Sequence, residues 1–252
     1  MPRQLRIVEP GFPHHVMHRG NNRRRLFSFP RDYRKILWYL VDALERVDCA
    51  VKVHAVALMA NHLHLIVTPQ TKFALSEYVK SFAQRYTNHR NREKDGTGKL
   101  FEARFESKPI LDDEYLSVCH AYLELNPVRA GIVDSPADYR WSGYRYWTRD
   151  AGCEPLLREL LSPSPWYLSL GSNSDERATR YARWVEACRI FDRKPENVAD
   201  WEVVEAYSAP YTRRLRRPDG SSAREPSTVY RIVDTPHTPS DFKDVAKGEC
   251  PR

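Results

Sequence analysis

The sequence has little of what would place a chain in a membrane, a secretory route or a disulfide framework. Its five cysteines, Cys49, Cys119, Cys153, Cys188 and Cys250, are scattered and form no Cys-x-x-Cys pair, so neither a zinc ribbon nor a disulfide scaffold is indicated. Uninterrupted apolar stretches reach only six residues, as in Ala55 to Ala60, against the ~20 that a membrane-spanning helix needs. The charged start Met1-Pro2-Arg3-Gln4-Leu5-Arg6 is not followed by an apolar segment, so no secretory signal is read and a cytoplasmic protein is expected. No internal repeat breaks the chain into equal units. With 252 residues, 41% of them hydrophobic, there is length for one large domain, or one domain plus an extension, around a substantial core.

Charge is unevenly placed. The net charge is +7; through residue 148 there are 23 Lys+Arg and 16 Asp+Glu, leaving 17 of each in the remainder (40 − 23 and 33 − 16). The entire surplus therefore lies in the front part, with every histidine except His237. A basic front suits a polyanionic partner such as nucleic acid.

The chain alternates strand and helix signals. Phe12 to Arg19 reads as a strand, and Gly20-Asn21-Asn22 as a turn leading into Arg23-Arg24-Arg25. Ile36, Leu37, Leu40, Val41 and Leu44 recur at helical spacing within Asp32 to Val47. Val51 to Met59 and His62 to Thr68 predict a hairpin turning at Ala60-Asn61. Leu75 to Arg92 predicts a second helix and Lys99 to Ile110 a fourth strand. A third helix opens with the acidic run Asp112-Asp113-Glu114, favourable at the positive end of its dipole, and is expected to stop near Asn126 because Pro127 follows. This order fits an α+β domain, an antiparallel sheet with helices on one face. Beyond it, residues 148–207 predict a helical extension with helices at Glu176 to Phe191 and Glu196 to Tyr207. Residues 208–252, rich in Pro, Ser, Thr and charge, predict a disordered tail containing the basic cluster Arg213 to Arg217.

One strand carries unusual chemistry. In His62-Leu63-His64-Leu65-Ile66-Val67 alternate residues share a face, so His62 and His64 lie side by side, roughly 7 Å apart at the backbone. Two imidazoles so placed can converge on a divalent cation; the competing explanation is a pair of hydrogen-bonded structural histidines. On the third helix Tyr122 and Asn126 are one turn apart and share a face. Asn126 could complete a metal site and set the Tyr122 hydroxyl beside it, or Tyr122 could belong to the apolar stripe and Asn126 to a helix cap.

His62-Leu63-His64, Gly98-Lys99-Leu100-Phe101-Glu102-Ala103-Arg104-Phe105 and Ala121-Tyr122-Leu123-Glu124-Leu125-Asn126-Pro127-Val128-Arg129-Ala130-Gly131, in this order, resemble the HUH single-tyrosine transposases, and within them the REP-associated tyrosine transposases. The resemblance runs over residues 5 to 147, and Trp166 to Gly171 with the following helix is similar to an extension of that branch. It implies a ferredoxin-like catalytic domain over 1–147. His62, His64 and Asn126 would be ligands of Mg²⁺ or Mn²⁺, and Tyr122 the nucleophile. An asparagine one turn after the tyrosine is within the family pattern. The implied activity is nicking and rejoining of single-stranded or hairpin DNA through a 5′-phosphotyrosine. Contacts to that DNA are expected from Arg19, Arg23, Arg24, Arg25, Arg104 and Lys108, with Arg85 and Arg90 as further candidates and Phe101 or Phe105 available for stacking. Tyr86 is a second-ranked nucleophile. Two other functions stay open: a non-catalytic nucleic-acid-binding module on the same kind of sheet, and a His-metal phosphodiesterase that uses water. Monomer and homodimer are both compatible with the sequence.

Overall fold

The computed structural model describes residues 7–102 and 104–191. Within them the chain runs β1 (His14–Arg19), α1 (Pro30–Arg46), β2 (Val51–Met59), β3 (His62–Pro69), α2 (Ala74–Glu93), β4 (Glu106–Pro109) and α3 (Asp113–Arg129), followed by α4 (Tyr144–Trp147), α5 (Pro155–Leu160), α6 (Pro165–Ser169) and α7 (Ser174–Phe191). The helix expected at Glu196 to Tyr207 and the tail 208–252 lie outside the described residues.

The four strands form one antiparallel sheet in the order β2-β3-β1-β4, the ferredoxin-like arrangement expected for this α+β chain. Every strand pair is antiparallel, and the amphipathic helices α1 and α2 pack together on one face. There Tyr78 of α2 donates to Leu40 O of α1 at 3.2 Å. The helix α1 starts where Pro30 sets the backbone angle for a first turn and Asp32 Oδ2 accepts from Ser28 N and Phe29 N at 2.8 and 3.1 Å.

Both faces of β3 are buried: Leu63, Leu65 and Val67 on one side, His64 and Ile66 on the other. The second face is covered by α3, whose Tyr122 ring meets the rings of His15 and His64. The sheet is thus sandwiched: α1 and α2 lie together on one face, but α3 lies on the other and not, as expected, beside them, because its Tyr122 side packs on the His15 and His64 face.

Two further expectations change. The fourth strand is short. Only Glu106–Pro109 pairs with β1, while the segment before it folds back to the end of that strand, with Phe101 bridging Gly20 and Glu102 N donating to Arg19 O at 2.9 Å. Helix α3 also passes Pro127 and ends three residues later than expected. Proline near a C-terminus removes only one intrahelical bond, whereas Gly131 at φ +63° supplies the left-handed residue that stops the helix. Gly131 N donates to Val128 O and Ile132 N to Pro127 O, both at 2.9 Å, closing a Schellman motif.

The extension shares the core rather than standing apart. Leu157, Leu160, Leu161, Trp166, Tyr167 and Tyr181 are buried in the same apolar cluster as the sheet residues.

Candidate active site

The site lies on the α3-covered face of the sheet. Antiparallel pairing sets Met17 and Ala57 on either side of His64, and Arg19 opposite His62. Cross-strand partners share a face, so β1 brings His15, Met17 and Arg19 to the face of His62 and His64. The small Ala57 leaves room beside His64. Lys108 pairs with His15 and so comes to that face as well.

His62 and His64 have ring centres 4.9 Å apart and nearly perpendicular planes. His62 Nδ1 lies 2.7 Å from Asn61 Oδ1; that oxygen only accepts, so Nδ1 is the donor and the contact fixes the ring's orientation. His64 Nδ1 lies 2.9 Å from His15 Nε2, and His64 Nε2 is buried with no hydrogen-bond partner among the described residues. Burial, then the neighbouring His62 and His15, hold the His64 imidazole well below its ordinary pKa, hence neutral.

Tyr122 is 2% exposed. Its ring centre is 5.9 Å from that of His64 and 6.0 Å from that of His15. The Arg129 guanidinium lies over the Tyr122 ring at 4.8 Å and donates from Nη1 to the Tyr122 carbonyl at 3.0 Å. Asn126 follows one turn later, buried, with Nδ2 unpartnered. It stands four residues inside the helix end at Ala130, so a capping role does not account for it.

The donor set suits a divalent cation. A neutral, buried imidazole with an unpartnered nitrogen and a second imidazole oriented by Asn61 are donors such an ion can use; from Asn126 the donor would be Oδ1, since the amide nitrogen donates a hydrogen bond and does not ligate a metal. Among the described residues no group of three or more His, Cys, Asp or Glu could hold a metal ion. A cation here would therefore rest on two imidazoles and an amide.

The expected DNA-contacting residues divide. Arg23 and Arg25 are exposed on the loop after Gly20. Arg19 is engaged with Glu102 at 2.6 Å, and Arg24 braces the chain through the Lys99 and Leu100 carbonyls. Arg104 is exposed and Lys108 half-buried. Arg90 is buried in an ion pair with Asp32 at 3.0 Å, and Arg85 is bound to Asp42, so both hold helices together. Phe101 stacks on His18 at 4.0 Å, leaving neither Phe101 nor the buried Phe105 as a ready stacking platform. Tyr86 donates to Leu26 O at 2.9 Å and burial raises its pKa far above the ordinary value, which makes it a core residue.

Sequence reasoning passed over two site residues. Alternation within His14-His15-Val16-Met17-His18 sets His15 apart from His14 and His18 but does not say which face meets His64; the register of β1 against β3 does. Arg129 stood within the recognised helix motif without a role.

Residues 11–126 match the model of the family described as transposase IS200 like. No curated protein matches the chain. A solved structure of a REP-associated tyrosine transposase bound to a REP hairpin is similar in fold, with a TM-score of 0.51 and 18% identity over 62% of this chain and 90% of that one. A candidate transposase from Deinococcus radiodurans R1 aligns with a TM-score of 0.33 and 14% identity over 52% of this chain and 92% of that one.

Proposed function

We infer, for a chain whose residues 11–126 belong to the IS200-like transposase family, a DNA nicking and strand-transfer enzyme that acts on single-stranded or hairpin DNA of the repetitive palindromic kind through Tyr122. The observation that carries this reading is the meeting of Tyr122 from α3 with His64 and His15 from the sheet.

In the proposed reaction the Tyr122 hydroxyl attacks a backbone phosphorus, and the bond to the 3′ oxygen breaks. The phenol's proton ends on that oxygen, giving a 5′-phosphotyrosine and a free 3′-hydroxyl. The phosphodiester is exchanged, not lost, so a 3′-hydroxyl of another strand can reverse the step without ATP. A tyrosine suits this better than an activated water, whose product could not be resealed. The Arg129 cation over the ring favours negative charge on the phenol oxygen as it attacks. His62, His64 and Asn126 are the residues that would hold Mg²⁺ or Mn²⁺. When bound, such an ion would withdraw charge from a non-bridging phosphate oxygen. Arg23 and Arg25, exposed beside the sheet end that carries Arg19, are the favoured backbone contacts.

Incubation with end-labelled hairpin DNA, with and without Mg²⁺ or Mn²⁺, followed by denaturing electrophoresis and peptide mapping tests the assignment. A metal-dependent adduct on Tyr122 that retains the DNA 3′ of the cut is expected. Tyr122→Phe should abolish it while preserving fold and hairpin binding, and an adduct persisting in that variant overturns the assignment. The near-complete burial of Tyr122 is the observation on the side of a second reading, a non-catalytic nucleic-acid-binding module. Tight hairpin binding without metal-dependent cleavage would favour that one.

A further inference from the structure

Four arginines from α4 onward converge from four segments on one cavity of about 390 Å³: Arg145 from α4, Arg149 from the loop after it, Arg158 from α5 and Arg177 from α7. Among the described residues only Arg149 of these four has a carboxylate partner, Asp175 at 2.7 Å. Arg145 donates to main-chain carbonyls, Ala137 O at 2.6 Å and Gly152 O at 3.3 Å, which orient its guanidinium without neutralising it. Arg177 likewise donates to Gly171 O at 3.0 Å, and its Nε is buried with no partner. Arg158 is exposed and makes no ion pair with any described residue. The single acidic residue lining the cavity, Asp150, accepts from Gly152 N at 2.6 Å.

Three guanidinium charges therefore face one cavity against one carboxylate. Like charges gathered in a concave, partly apolar site raise each other's energy, and an anion relieves this. The forked, fixed geometry of arginine suits the oxygens of phosphate. Between the charges the lining includes the aromatic Tyr146 and the half-exposed, apolar Leu168, the kinds of side chain on which a nucleobase next to its phosphate can rest.

We propose that this cavity is a phosphate-binding site that grips the backbone of a single nucleic-acid strand, a second anchor outside the family-matched residues 11–126. The proposal rests on the DNA-processing reading for the identity of its ligand, and not on Tyr122 or any metal. On a nicking enzyme it would hold the unpaired strand leading to or from the hairpin.

The test uses the full chain and a fluorescein-labelled oligothymidine of twelve nucleotides, which forms no hairpin, with affinity followed by anisotropy over a salt series. Arg158→Glu is expected to weaken binding about tenfold, and Arg158→Ala to lower the salt slope by about one. Arg158 is exposed and structurally unengaged, so thermal unfolding of both variants should match the parent. Unchanged affinity and slope in both overturn the proposal. Inorganic phosphate is tested separately by thermal shift: stabilisation that Arg158→Glu abolishes, with oligothymidine binding intact, would make this a free-anion site and overturn the nucleic-acid assignment. Because the Tyr122 adduct is scored on a different DNA and a different residue, either result can fail while the other stands.

Discussion

Arg23 sits at φ 56° and Asn22 at φ 53°, in the left-handed region. For asparagine that conformation is cheap; for arginine it costs about 1 kcal/mol, which only a surrounding structure or a use for the side chain repays. Gly20 permits the loop: a Cβ there would lie 2.3 Å from Arg24 O. Arg23→Gly is expected to raise stability by about 1 kcal/mol, seen in thermal or urea unfolding, while lowering hairpin affinity and reducing the salt slope by about one. A more stable variant that binds DNA unchanged would remove Arg23 from the interface. Residue roles were legible in the sequence where they depend on local spacing and hidden where they depend on a partner strand. The shared face of His62 and His64 follows from alternation alone. That His15 is the residue beside His64 follows from the register of β1 against β3, which no local pattern states. For the same reason Arg90 looked like a surface cation: its carboxylate, Asp32, is 58 positions away.

Helix α3 shows what an element adds to its residues. Its start and its acidic first turn were legible, and Asp112 does cap it, accepting from Tyr115 N at 2.6 Å. Its end was misjudged because Pro127 was given more weight than Gly131. One face presents Tyr122 and Asn126 to the sheet; the other buries His120 and Glu124 against the extension. Tyr181 Oη donates to Glu124 Oε1 at 3.0 Å. Burial pushes Glu124 up to about 7 and, on the same helix, His120 down to about 3. The two shifts act oppositely on stability. The folded state keeps the Glu124 proton where the unfolded chain, titrating near 4.5, has lost it, so this group's contribution falls as pH rises from about 4.5 to 7. His120 resists a proton that the unfolded chain binds below about 6.5, so its contribution is lost as pH falls from there towards 3. Glu124→Gln removes only the first effect. Relative to the parent, its stability should rise by about 1.4 kcal/mol per pH unit between pH 5 and 7. Urea unfolding at several pH values measures this, and parallel pH profiles for the two proteins would mean that Glu124 is ionised throughout.

Across the whole molecule the sheet has one protected edge and one short one. The outer edge of β2, which would otherwise expose a row of unpaired backbone groups, is covered from the extension side: Leu58 N donates to Trp141 O at 3.0 Å, Gly143 N to Val56 O at 3.0 Å and Ser162 N to Val53 O at 2.8 Å. The opposite edge is β4, only four residues long. The helical nature of the extension was legible from its periodicity; that its apolar side chains complete the core of the first domain was not, because burial between distant segments leaves no local period. Division at residue 147, natural by composition, would cut through one packed body. A fragment ending there loses Leu157, Leu160, Leu161, Trp166, Tyr167 and Tyr181, each 9% exposed or less. At about 1.5–3 kcal/mol for each buried large side chain, the loss rivals the whole stability of an ordinary domain, about 5–15 kcal/mol. It would also lay bare the Val53 end of the β2 edge. The fragment 1–147 is therefore expected to aggregate or to give poorly dispersed amide resonances under conditions where the full chain gives a cooperative thermal transition. A well-dispersed spectrum from that fragment, with hairpin binding intact, would make the extension a separable domain, and would confine any effect of Arg158 to a module that the sheet does not need.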